Sequence, residues 1–191
     1  MEQNPETAQP TKSFWNFQEI VNLVFTVLLV VLPIRMILAQ PFLVDGASMY
    51  PTFKNSEYLI VDELSYLFKT PERGSVIVFH YPKDPSRDFI KRVIGLPGET
   101  LKIKDGVVTI INAENPQGLK LDEPYIKLPK EENLAYTLSN DEYYVMGDNR
   151  AQSADSRFWG PLPKSYIIGR PILRAYPFGV WPGDYTDLFN N

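Results

Sequence analysis

The stretch DFIKRVIGLPGE, Asp88 to Glu99, decides how this chain is read. It is short, rich in β-branched and aromatic residues, and closed by Gly95, Pro97 and Gly98, the marks of a strand ending in a turn. Period-2 alternation puts Phe89, Lys91 and Val93 on one face and Ile90, Arg92 and Ile94 on the other. Two consecutive cations therefore point in opposite directions and cannot easily share the same water. One reading is an edge strand whose basic side chains snorkel out to solvent. The other pins Lys91 among apolar neighbours, where burial disfavours the ammonium form and lowers its pKa from about 10.4. Lowering by three units costs roughly 4 kcal/mol, an amount a fold hardly spends without chemistry in return, and a neutral lysine amine is a general base.

Outward from this stretch the same grammar repeats. EYLIVDEL (57–64), SVIVFHY (75–81) and DEYYVMG (141–147) read as strands, and LKIKDGVVTIIN (101–112) as a hairpin turning on Asp105-Gly106. Residues 113–140 are polar, with Pro and Glu, and read as a long loop or small excursion. Seventeen prolines favour turns and edge strands over helices. The expected fold is mainly β: a β domain over residues 41–191, with a small inserted hairpin and loop at about 100–140.

The N-terminal part differs. Residues 1–18 form a polar tail. IVNLVFTVLLVVLPIRMILA, Ile20 to Ala39, is long enough as a helix to rise about 30 Å, so 19–40 reads as a transmembrane anchor. A cleavable signal peptide fits poorly, because Glu2, Glu6 and Glu19 outweigh Lys12 before the span, and Ile37 is too large for the cleavage pattern. Pro33 and Arg35 suggest a kink and a snorkelling side chain near its end. Lys12 before the span and Arg35 and Lys54 after it give the positive-inside rule no useful vote on orientation.

Composition narrows the chemistry. The 191 residues carry a formal net charge of −4 and no basic run, which argues against a nucleic-acid partner. With no cysteine and a single histidine, disulfides, thiol nucleophiles and multi-histidine or cysteine-based metal sites are excluded, and no cofactor or metal is expected.

Just beyond the apolar span stands VDGASMYPTF, Val44 to Phe53. Gly46, Ser48 and Pro51 are ordinary turn residues. Ser48 is also a candidate nucleophile, needing a base to take its proton, and His80 and Lys91 are the candidates for that base. No aspartate is marked by the sequence as an orienter for His80, yet a Ser-His arrangement stays open, since triads assemble in space. In GDNRAQSADSRFWG, Gly147 to Gly160, Asp155 and Arg157 read as an ion pair, and the Ser153 hydroxyl as a group that orients a lysine amine.

With these pieces in order, the chain resembles the bacterial type I signal peptidases, membrane-anchored serine proteases, in the short form found in many bacteria and in plastids. The resemblance is collinear: an anchor, then SMYPTF, GSVIVFHYP, FIKRVIGLPGE and GDNRAQSADSRFWG. It implies Ser48 as nucleophile, Lys91 as general base, Ser153 as the lysine's support, and Asp155 and Arg157 as structural support. It implies the Ser48 backbone N–H as one oxyanion donor. A second donor found in some members is a serine two residues earlier, where this chain has Gly46. Val44, Met49, Phe89 and Ile90 fall where pockets for alanine-like residues would be lined. The implied substrates are signal peptides of exported preproteins, with membrane lipid as the other partner. The implied site is the extracytoplasmic face of the cell membrane, or a thylakoid membrane where one exists. Some aromatic residues, Tyr50, Phe53, Trp159 and Trp181 among them, could face lipid headgroups. The rival readings are a self-cleaving repressor-type Ser/Lys peptidase, similar in dyad and β fold, and an inactive membrane-anchored binding module.

Overall fold

In the computed structural model the described residues are 16–128 and 130–178, without the side chains of residues 31–39. The chain divides into two compact units, residues 1–37 and 38–191.

The first unit is built on helix α1 (Phe17–Leu38). Every described side chain from Asn16 to Val30 is exposed, including Phe25 and Leu29, so the described apolar residues of this helix stand outside any core. Among the described residues no helix is long and apolar enough to cross a membrane. Half of the expected span, with Pro33 and Arg35, falls where side chains are not described, as do most of the expected polar tail and Trp181.

The second unit is mainly β. Its large sheet has seven strands: β1 (Ala39–Leu43), β2 (Tyr58–Asp62), β3 (Val76–Tyr81), β4 (Asp84–Gly95), β9 (Glu142–Met146), β10 (Leu162–Pro163) and β11 (Ile167–Tyr176). They lie in the order β1-β2-β11-β3-β4-β9-β10. A second sheet of four strands comprises β5 (Thr100–Lys104), β6 (Val107–Ile111), β7 (Leu119–Lys120) and β8 (Leu134–Thr137), in the order β7-β6-β5-β8. The β5–β6 hairpin turns on Asp105 and Gly106, both at positive φ (51° and 79°), the conformation a tight two-residue turn between twisted strands requires. Residues 113–140 are therefore more than a loop. Leu134 and Tyr136 pack on the core beside β5 while Ala135 and Thr137 stay outside, an alternation too short to stand out among polar neighbours.

Alternation along β4 sends its apolar residues to three clusters. Val93 and Phe89 join Ile77, Phe79, Tyr143 and Val145. Ile94 joins the core that the small sheet closes, with Leu101, Ile110 and Tyr144. Ile90 packs on Val44, Met49, Phe53, Leu59 and Val76. Strand β4 pairs with β3 through Ile77↔Lys91 and Phe79↔Phe89, but with β9 only at Arg92, Val93 and Gly95. The stretch before Arg92 is thus free of β9 and lines a groove.

Two short helices appear where the sequence suggested none. Helix α2 (Ser65–Phe68) follows β2, with Asp62 accepting from the N–H groups of Leu64 and Ser65. Helix α3 (Ser156–Trp159) is capped by Asp155, whose carboxylate accepts from Arg157 N.

Candidate active site

The groove has a volume of about 360 Å³ and is lined by the segment from Phe42 to Ser48 and by β4 from Arg87 to Lys91. Its floor is apolar, with Val44, Leu59, Val78 and Ile90. Lys91 reaches it from a buried position, 4% exposed, and its Nζ lies 2.8 Å from Ser48 Oγ and 2.8 Å from the Ile90 carbonyl oxygen. Both partners are neutral. Burial pushes the amine down from 10.5 to about 8, and the carboxylates of Asp155 and Asp148 pull the other way without cancelling it.

Arg92 points away from Lys91, as alternation demands, into a fully buried slot. Its Nε and Nη2 donate to the two oxygens of Asp148 at 2.9 and 2.7 Å, and its Nη1 donates to the Gly74 carbonyl at 2.6 Å. Asp148 also accepts from the hydroxyl of Thr52, which ties the segment after Ser48 to the loop after β9. The sequence reading did not single out Asp148. The signal was there, since an arginine forced inward by a strand needs a carboxylate.

Asp155 and Arg157 form an ion pair at 2.7 Å, both nearly inaccessible. Burial alone would raise the Asp155 carboxyl. The bonds and charge of Arg157, the Gly147 N–H and the nearby Ser153 hydroxyl outweigh it and hold the group below the ordinary carboxylate value. Ser153 is buried against Gly147, and its Oγ meets no partner in full hydrogen-bond geometry among the described residues, Lys91 Nζ included. A Cβ at Gly147 would stand 2.2 Å from Ser153 Oγ and 2.4 Å from the Ser48 carbonyl oxygen, so only glycine fits there.

Val44, Phe89 and Ile90 line the groove. Met49 does not: it is 1% exposed and turned into the cluster with Phe53 and Leu59, because its neighbour Ser48 takes the groove side. Leu59 and Val78 line the groove instead, brought in by strand pairing that local sequence does not display, together with Ala154 from the loop before α3. His80 does carry an aspartate that the sequence did not mark, Asp88 at 2.7 Å, but it is half exposed and absent from the groove lining. Of the aromatic residues expected near lipid, Tyr50 is 43% exposed, Phe53 is fully buried, and Trp159 packs on Phe79 at 5.9 Å between ring centres. Gly46 has φ +95° and donates its N–H to Asn55 Oδ1, with open space where a side chain would start. Among the described residues, no group capable of holding a metal ion was found as a cluster of three or more His, Cys, Asp or Glu side chains.

A family model described as signal peptidase, peptidase S26, matches residues 17–176. This chain belongs to the signal peptidase family. It is 38% identical to a probable signal peptidase I-1 of Synechocystis over 181 residues, covering 90% of this chain and 89% of the relative. It is 40% identical to signal peptidase I U of Bacillus subtilis over 157 residues, covering 76% and 80% of the two chains. A crystal structure of a signal peptidase I from Enterococcus faecalis aligns at a TM-score of 0.46 and 30% identity, over 53% of this chain and 97% of that one. Membership in this peptidase family makes the chain a serine endopeptidase, and it sets aside the repressor-type reading.

Proposed function

We propose that this signal peptidase family member removes signal peptides from exported preproteins, cutting after small residues with Ser48 as nucleophile and Lys91 as general base. The observation that carries the proposal is a buried amine, its pKa near 8, placed 2.8 Å from a serine hydroxyl at the edge of a groove with an apolar floor. In the neutral form of the amine the Ser48 hydroxyl donates to Nζ, and the proton moves there as Oγ bonds to the substrate carbonyl carbon. The oxyanion is met by the Ser48 N–H, which no other group takes among the described residues. The Lys91 ammonium then gives its proton to the departing amine, leaving an ester on Ser48. Water, deprotonated by the same amine, attacks the ester and regenerates the serine.

Ser153 is assigned the support of the amine, backed by a buried hydroxyl beside Asp155, whose carboxylate also acts on Lys91. Asp155 and Arg157 hold the loop that carries it. The small groove, bounded by Val44, Phe89 and Ile90, favours alanine-like residues before the cleaved bond. The exposed apolar residues of α1 from Ile20 to Val30 support its reading as a single membrane anchor, with the catalytic unit on the extracytoplasmic face of the cell membrane or in a thylakoid membrane. At most about 30 Å of extended chain joins Ala39 to Ser48, which keeps the nucleophile near a membrane surface.

The test uses the full chain in detergent or vesicles with a preprotein substrate. Wild type cleaves, and Ser48→Ala and Lys91→Ala do not, while both variants keep the wild-type circular dichroism. Cleavage by either folded variant overturns the assignment. An inactive binding module would instead leave Ser48 unlabelled by an acylating inhibitor.

A further inference from the structure

We infer that Asn149 is a positioning residue that fixes both the nucleophile and the oxyanion donor. It rests on the Ser48 assignment above and adds a residue to it. Two successive main-chain carbonyls, those of Ala47 and Ser48, accept hydrogen bonds from this one residue: Asn149 Nδ2 donates to Ala47 O at 3.1 Å, and Asn149 N donates to Ser48 O at 3.0 Å. These oxygens belong to the two peptide planes on either side of the Ser48 Cα. Because each peptide unit is planar, holding both oxygens holds φ and ψ of Ser48 and leaves its side chain little more than χ1 to vary.

The same clamp reaches the oxyanion donor. Ala47 C=O and Ser48 N–H are opposite ends of one trans peptide group, so fixing the oxygen aims the N–H. A hydrogen bond accepted by that oxygen also polarises the group and strengthens the N–H as a donor.

Asn149 is itself rigid. It is 1% exposed, and its Oδ1 accepts from Gln152 N at 3.2 Å, which sets the orientation of the carboxamide. The residue before it, Asp148, grips Arg92, and Arg92 is the chain neighbour of Lys91. A closed circuit results: Ser48 Oγ to Lys91 Nζ, along the chain to Arg92, across to Asp148, along the chain to Asn149, and back to the Ser48 carbonyl. Base and nucleophile are measured against one frame. Gly147 completes it, since any side chain there would strike the Ser48 carbonyl.

The test is steady-state kinetics on a signal-peptide substrate with the full chain, using Asn149→Ala, which removes the side-chain donor and keeps the main-chain one. The rate constant kcat falls roughly 10- to 100-fold, less than for outright loss of an oxyanion donor, because the donor is loosened rather than removed. KM stays within about twofold and the lower pH limb does not move, since Lys91 keeps its surroundings. A peptide aldehyde, whose adduct with Ser48 carries the oxyanion, loses affinity in parallel with kcat/KM, whereas an uncleavable substrate peptide does not. A purely structural role would not separate those two ligands. Asn149→Leu, close in size, neutral and without the donor, gives the same pattern if the alanine variant fails to fold. A folded variant with kcat within twofold of wild type, a loss confined to KM, or failure of both variants to fold overturns the proposal. Wild-type cleavage abolished by Ser48→Ala, together with unimpaired Asn149 variants, sinks this inference alone; an inactive wild type sinks the reading beneath it.

Discussion

Lys91 and Arg92 are neighbours on one strand, both almost fully buried, and only Lys91 is driven toward its neutral form. The guanidinium of Arg92 meets a carboxylate with two hydrogen bonds, a carbonyl with a third, and the face of Tyr125 at 4.2 Å. The amine of Lys91 meets a hydroxyl, a carbonyl and the face of Phe89 at 5.1 Å. Burial taxes both charges, but only one of them has a counter-ion in contact. The difference teaches that a fold makes a base by withholding a partner, and makes a rivet by supplying one.

The largest expected effect comes from erasing the difference. Lys91→Arg puts a permanent charge where a proton acceptor stood, and preprotein cleavage should fall by about 10⁴-fold or more. Next is the rivet. Asp148→Asn or Arg92→Met leaves an uncompensated buried charge and should cost about 3–5 kcal/mol, read as a lower urea midpoint. The double variant Arg92→Met with Asp148→Leu should recover a good part of that loss, because the stranded charge is gone.

A third expectation concerns pH. The folded pKa of Lys91, about 8, lies below its ordinary 10.5, so between these values the unfolded chain holds a proton that the folded one has released. Stability therefore rises with pH across this window, by roughly 3 kcal/mol in total from this group. Denaturation midpoints of wild type and Lys91→Met, measured from pH 7.5 to 10.5, should diverge, with the slope smaller in the variant. The kcat/KM of wild type should climb through the same midpoint near 8 as the amine loses its proton. The smallest effect belongs to the partly buried Glu132, which pairs with Lys130 and Arg157. Glu132→Gln should lower stability by about 1 kcal/mol or less, and less still in high salt.

How much of this was legible depends on the range of the interaction. Strand β4 and the Asp105-Gly106 hairpin announce themselves because their signals, period-2 alternation and a two-residue turn, are local. The opposed directions of Lys91 and Arg92 follow from the same alternation. What filled each slot did not, since Asp148 is 56 residues away from Arg92 and no spacing rule joins them. Met49 misled for a related reason: adjacency to Ser48 suggested the groove, while the core cluster drew it inward. His80 had a partner, Asp88, that only the β3–β4 pairing brings opposite it. Strands β7 and β8 are too short to register a period, and β11 enters between β2 and β3 from the far end of the chain.

One consequence follows from the pairing of Lys91 with Ile77 and of Arg92 with Val76 and Met146. Sliding β4 by a single position would exchange the two side chains, delivering guanidinium to the serine and ammonium to the carboxylate. Hydrophobic burial would change at every other residue as well, so the same force that packs the sheet also guards against this swap. Alignment of one strand is thus the device by which an ordinary β core keeps its chemistry from being short-circuited.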